Sequence, residues 1–237
     1  MFEHAAVRGE LVQLGATWHA VLDRHNYPVA VRSLLGEAMA ATALLAATLK
    51  FDGSMILQMH GSGPVRLLVV ECTSEHAMRA TAKWEGSPEA GPLEGMLGNG
   101  RFVISLVPKE GGQGYQGVVD LRGRSVADAL EHYLRHSEQI ESRLWLAADD
   151  RSAAGMLVQR LPGTRDADAD AWNRAQHLAG TIAPGELLSL APEQILRRLF
   201  HEEDLRLFEP RPVCFRCSCS RERVTAMLRM LGRGQVF

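Results

Sequence analysis

From Met55 onward the chain breaks into short runs rich in Val, Ile and Leu, "MILQMHG", "PVRLLVVEC", "AMRATAKW", "RFVISLVP" and "YQGVVDL", each bounded by turn residues. Such residues suit a pleated, half-buried surface, and runs that follow one another after short breaks pair most readily with neighbours of opposite direction. The pattern predicts an antiparallel sheet, to which "SRLWLAAD" and "AAGMLVQRLP" return. Asn99-Gly100 reads as a hairpin turn, because both residues accept positive φ cheaply. Ser125 with Asp128 reads as a capping box that opens a helix through "VADALEHYLRHSEQ". Upstream, Leu11, Leu14, Trp18 and Leu22 suggest a strand edge followed by a helix. After Pro28, the residues Val31, Leu34, Leu35, Ala38, Leu45 and Leu49 recur at helical spacing until "FDGS" ends the run.

Pro162-Gly163 closes this β-rich unit, and the acidic "TRDADADAW" has the composition of a linker, so a boundary is expected near residue 165. The following stretch is helical, interrupted at Pro184 and Pro192, with "PEQILRRLF" its clearest piece. Pro210 and Pro212 mark a second boundary. Beyond them, Ser220 is expected to cap a helix "RERVTAMLRML" that Gly232 ends. The fold class expected is α+β: a β-rich N-terminal domain with packed helices over 1–165, a helical linker over 166–210, and a cysteine-bearing segment over 211–237.

With 237 residues, 46% of them hydrophobic, the chain can bury a core without staples. Its 26 basic and 28 acidic residues give a net charge of −2, which offers no field for nucleic acid phosphates, so no nucleic acid partner is expected. Glu3, Arg8 and Glu10 interrupt the start where a secretory signal would need an apolar core, so export is not expected and the cytoplasm is. Arg32 and Glu37 break the apolar stretch from Val29 to Leu49, which reads as a buried soluble helix rather than a membrane span. "HGSGPVR" fails the dinucleotide pattern at Arg66, "GGQGYQG" has no Lys-Ser/Thr pair, and both read as loops. "HEEDL" has Leu205 where a metalloprotease needs its second histidine. His4, His60 and His136 stand singly and take no role, and Cys72, ending an apolar strand, reads as a buried structural thiol.

The other three of the four cysteines, Cys214, Cys217 and Cys219, crowd into "CFRCSC". In a reducing cytosol, clustered thiols favour metal or redox chemistry over permanent disulfides. Zinc prefers four ligands in a structural site, so three thiols are a partial site, and no His follows His201 and no Cys follows Cys219 to complete it. The competing reading takes Cys214 and Cys217 as the C-x-x-C of a thiol-disulfide oxidoreductase, but that motif normally opens a helix in a βαβ frame, and here it sits in proline-flanked coil.

The segments "RGELVQL", "HNYPV", "LLAATLKFDG", "GNG", "YQGVV", "HSEQI", "AAGMLVQ", "LFHEED" and above all "CSCSRER" occur in an order that resembles the heat shock protein 33 family of redox-regulated chaperones, from Arg8 to about Leu231. The resemblance implies an ATP-independent holdase of the bacterial cytosol, with an α/β chaperone core, a helical linker wrapped on it and a C-terminal zinc domain. It implies four zinc-binding cysteines, a C-x-C and later a C-x-x-C. The first pair maps onto Cys217 and Cys219, the implied metal ligands and redox-switch residues. The second would fall beyond Phe237, so that 211–237 is the start of the zinc domain, and Cys214 lies outside the four-ligand pattern.

The switch that the resemblance implies has a physical rationale. Zinc-held thiolates oxidised by peroxide lose the charge that bound the metal. Structural zinc contributes about 10–16 kcal/mol of folding energy in small domains, so its loss unfolds them. A linker interrupted by Pro184 and Pro192 has little helix stability of its own and can then detach, exposing an apolar surface to unfolded clients. Were Phe237 the true end, half a clamp would leave the linker loosened and the chaperone active without oxidant. The expected partners are unfolded client proteins and a second copy, as a homodimer; catalysis is not expected. A zinc-ribbon adaptor docking one folded partner is a further alternative. Client-surface candidates are the 29–49 helix and the 101–107 strand, each of which also fits core packing.

Overall fold

A single helix of small residues organises the structure. The computed structural model describes residues 1–162, 168, 170–217, 225 and 229. Helix α2 (Val29–Thr48) follows strand β1 (Val7–Gln13) and helix α1 (Gly15–Leu22), and begins directly after Pro28 as the sequence predicts. Its alanines at 38, 40, 41, 43 and 46 are buried, and so is Thr42, whose hydroxyl donates to the Ala38 carbonyl at 2.7 Å. Small side chains let the helix lie between two sheets at once. At Gly36 the approach is closest, since an added Cβ would stand 2.4 Å from the Ala148 Cβ and 3.2 Å from Trp18. The helix is long and apolar enough to cross a membrane, but 78% of that stretch is buried inside the protein.

The expected single run of antiparallel strands divides into two sheets. Six strands, β2 (Gly53–Gly61), β3 (Val65–Thr73), β4 (Ala77–Trp84), β5 (Gly100–Pro108), β6 (Tyr115–Asp120) and a late two-residue strand β9 (Cys214–Phe215), form one sheet in the order β6-β5-β2-β3-β4-β9. Alternate residues Met55, Leu57, Met59, Leu68, Val70, Phe102 and Ile104 are buried in the core that surrounds α2. The other sheet pairs β1 with β8 (Ala153–Arg160) and β8 with β7 (Ser142–Ala148), all antiparallel. Every residue of β8 except Arg160 is buried, because both faces of this sheet are covered.

Helix α4 (Val126–His136) opens on the expected capping box: the Asp128 N–H donates to Ser125 Oγ and the Ser125 N–H donates to Asp128 Oδ2, both at 3.1 Å. Asn99-Gly100 is not a hairpin. A short helix, α3 (Leu93–Leu97), precedes it, and Gly98 takes the positive φ of 63° that turns the chain into β5. Glycine permissiveness at Asn-Gly is shared by any left-handed turn, so the dipeptide did not distinguish the two. The boundary near 165, Ser220 and Gly232 lie outside the described residues.

Helices α5 (Ala171–Ala179), α6 (Pro184–Ser189) and α7 (Pro192–Phe200) lie over the outer face of the small sheet. Pro184 and Pro192 start two helices rather than interrupting one, each at the first turn, where a missing N–H costs nothing. The Glu186 carboxylate accepts from the Ala183 N–H and the Gln194 side chain from the Ala191 N–H, which satisfies otherwise orphaned donors at both starts. The N-terminus joins this layer, with Phe2 bridged to Leu205, the Arg206 N–H donating to the Met1 carbonyl at 2.9 Å and the Met1 ammonium donating to the Arg206 carbonyl at 3.2 Å.

Candidate redox segment and client surface

Cys214 and Phe215 form β9 rather than coil, and they add to β4 as its parallel neighbour, with Ala77 opposite Cys214 and Met78 opposite Phe215. The Cys214 N–H donates to the His76 carbonyl at 3.2 Å and the Arg216 N–H to the Met78 carbonyl at 3.0 Å. His76 presents its carbonyl from a left-handed turn, φ 57°, between β3 and β4. Burial, and then the charge of Arg211, hold its imidazole below the usual histidine range, which favours the neutral ring. The Thr17 hydroxyl donates to the Val213 carbonyl at 2.9 Å, and the Arg24 guanidinium lies 3.9 Å over the Phe215 ring.

Cys214 and Cys217 are both exposed, whereas Cys72 is buried on β3. Burial, with the charges of Glu71 and Cys214 adding to it, pushes the Cys72 thiol up to about 12, so it stays protonated and unreactive at neutral pH. β4 separates it from β9. Cys219 lies outside the described residues. Among the described residues no three His, Cys, Asp or Glu side chains gather to hold a metal. Thiolates of the kind that Cys217 and Cys219 carry suit zinc, and the two would fill half of its tetrahedron. "HGSGPVR" and "GGQGYQG" both fall where one strand turns into the next, as expected.

The apolar surface that a moving element could uncover lies on the small sheet, not on the 29–49 helix or the 101–107 strand. The 29–49 helix is enclosed between the sheets, and Phe102 and Ile104 of the 101–107 strand are buried in the core around it. On the small sheet, Val7, Ala147, Ala154, Met156 and Val158 are buried against Ala175, Ala179, Leu187, Ile195, Leu199 and Phe200 of α5 to α7, with Leu11 and Trp145 at the margin. Among the described residues, these short helices and Phe2 of the N-terminus cover this face. Polar fasteners sit around it: Gln13 Nε2 donates to the Leu187 and Leu190 carbonyls at 3.0 and 2.8 Å, closing the end of α6 onto β1. Arg174 of α5 pairs with Glu203 at 2.9 Å and with Asp168 at 2.8 Å. The signal was present in the unbroken apolar run of "AAGMLVQ", which an alternating one-sided strand does not need.

The fold recurs in known proteins. The 33 kDa chaperonin of Thermotoga maritima has the same fold in its crystal structure, with a TM-score of 0.84 at 24% identity over 99% of this chain and 84% of that one. The 33 kDa chaperonins of Methylobacillus flagellatus and Chromobacterium violaceum are each 51% identical to the chain over its full length and over 81% of their own. The family model described as Hsp33 protein matches residues 1–236. The chain belongs to the Hsp33 protein family.

Proposed function

We propose that this chaperone is an ATP-independent holdase of the bacterial cytoplasm that captures unfolded proteins under oxidative stress, with Cys217 and Cys219 as redox switch and zinc ligands. The observation that carries the reading is the apolar face of the small sheet, buried among the described residues by the short helices α5 to α7 together with Phe2 of the N-terminus. Client chains need an apolar surface that can be opened, and this face has a cover made of helices too short to be stable alone. Zinc, when bound, holds thiolates deprotonated and adds folding energy to the segment that carries them. The chain's own contribution is the coupling: β9 ties the cysteine segment to the large sheet, and the linker helices precede it directly. Oxidation loosens the segment, α5 to α7 leave the small sheet, and clients bind the exposed face. The division into a core over 1–165, a linker over 166–210 and a zinc segment from 211 belongs to this proposal, as does a homodimeric active form.

The test is suppression of aggregation of a chemically unfolded protein by the chain, reduced and after peroxide, with light scattering as the readout. Strong suppression after oxidation is expected. Equal inactivity in both states would refute the holdase. The oxidoreductase alternative predicts instead that the chain reduces insulin and that Cys214→Ser abolishes it. An adaptor predicts saturable binding of one folded partner.

A further inference from the structure

His136 does not stand singly. It lies one turn from His132 on α4, and the two rings meet with centroids 4.2 Å apart and planes at 43°. Of the nine histidines in the chain, only these two share such a spacing. Residues four apart on a helix project from one face. The opposite face of α4, with Val126, Ala129, Leu130, Tyr133 and Leu134, is buried, while His132 is partly exposed and His136 exposed.

The helix that carries the pair is a fixed frame. Its capping box holds the first turn, and in its middle the Glu131 carboxylate accepts from the Leu144 N–H of β7 at 2.8 Å and pairs with Arg143 at 2.7 Å. A metal ion bonded to two imidazoles at about 2.0–2.1 Å each needs their nitrogens no more than about 4 Å apart. Rings with centroids at 4.2 Å reach that separation by rotation about the last side-chain torsion, which is broad for histidine. The backbone is already in place, so little ordering is required on binding.

The neighbours decide which metal fits. The charges that bear on His132, besides His136, are those of Arg122 and Arg135, and Arg122 leans to Asp120 at 4.0 Å. Asp128, one turn earlier on the same stripe, has its carboxylate committed to the N–H groups of Arg124 and Ser125 at 2.9 and 3.1 Å. Hard cations such as Ca²⁺ and Mg²⁺ need a set of oxygen ligands, and among the described residues no third carboxylate, histidine or cysteine gathers with the pair. Imidazole suits Cu²⁺, Ni²⁺ and Zn²⁺, and Cu²⁺ is held most tightly at a given nitrogen site. His136 is the last residue of α4, so the negative end of the helix dipole partly offsets the two guanidinium charges.

We infer that His132 and His136 chelate one borderline transition-metal ion, Cu²⁺ in preference to Ni²⁺ or Zn²⁺, on the solvent face of α4, with water in the remaining positions. The site uses neither Cys217 nor Cys219 and stands apart from the proposed function. A bound ion ties the last turn of α4 together and slows its opening.

The experiment titrates Cu²⁺ into the full chain carrying Cys214→Ser, Cys217→Ser and Cys219→Ser, so that the clustered thiols neither bind nor reduce the ion. His132→Ala and His136→Ala are added singly to this background, with His177→Ala, an exposed histidine on α5, as the control. Calorimetry reads affinity and stoichiometry, and paramagnetic broadening of NMR resonances reads location. The first equivalent is expected to broaden His132 and His136 ahead of every other histidine and to resist displacement by Mg²⁺. Either alanine variant at the pair should weaken this site by about tenfold or more, and His177→Ala should leave it unchanged. Broadening that begins at other histidines, or an affinity that survives both alanine variants, overturns the site. Loss in only one of the two variants shows a single-imidazole contact and overturns the chelate. If His132→Ala does not fold, His136→Ala at the exposed helix end and the broadening pattern decide.

Discussion

Removing the Phe200 side chain should activate the reduced protein. Phe200 ends α7, is 5% exposed, and meets Phe2 edge to face with ring centroids 5.4 Å apart and planes at 81°. Truncating a buried phenylalanine costs about 3–5 kcal/mol through lost transfer energy and the cavity left behind, and the ring pair accounts for about 0.5–1.5 kcal/mol of that. Because every 1.4 kcal/mol is a factor of ten, Phe200→Ala raises the population with α7 undocked by up to roughly 10²–10⁴. The closed fraction of the linker falls accordingly, and the small-sheet face is exposed without any oxidant. The assay is light scattering of a chemically unfolded client diluted into buffer with thiol reductant and the variant, beside amide exchange of α7. Phe200→Leu, which keeps most of the volume and costs under about 1.5 kcal/mol, should remain inactive when reduced and serves if the alanine variant does not fold. Accelerated exchange of α7 with no gain in client holding would refute the reasoning, because the uncovered face would then not be what clients bind.

Gly36→Ala should destabilise the fold by about 1–3 kcal/mol, since the new methyl meets Ala148 and Trp18, although the same change at an exposed helix site gains about 1 kcal/mol; thermal melting decides. Glu37 on α2 is held at about 7 by burial, above the ordinary carboxylate range, so the folded state takes up a proton more readily than the unfolded one. Its contribution to stability is therefore present at low pH and is lost as pH rises from the unfolded carboxylate range to about 7. Glu37→Gln should match wild type near pH 4 and exceed it by up to ~3 kcal/mol at pH 8, read from urea midpoints across that range. At pH 8, iodoacetamide should label Cys214 in the native reduced chain while Cys72, buried and with its thiol pushed up to about 12, stays unlabelled until urea unfolds the protein. Mass spectrometry of the labelled peptides reads the difference, and labelling of native Cys72 at the Cys214 rate would contradict the burial argument.

Features written locally in the chain were legible. The capping box at Ser125 and Asp128 needs only residues three apart, and the apolar spacing after Pro28 needs only one helix. The partition into two sheets was not, because β1 pairs with β8, as in Val7 with Arg160, and no local pattern announces a partner that far along the chain. Strand texture alone fits one sheet or two. Helix α3 was too short to show periodicity, and the strand at Cys214 and Phe215 exists only because β4 offers it an edge. Of the candidate site, the identity of the thiols was plain from their crowding, and the inertness of Cys72 followed from its place in an apolar run. What covers the small sheet was not, since Leu187, Ile195 and Leu199 are spaced for burial without naming the surface that buries them.

The pairing of Met1 with Arg206 brings the first residue of the chain onto the stretch just beyond the linker helices. An affinity tag fused ahead of Met1 replaces the ammonium that donates to the Arg206 carbonyl with an amide, one residue from the Phe2 ring that meets Phe200. Basal activity is therefore best compared between samples that carry the same N-terminus, because whatever precedes Met1 is attached at this contact.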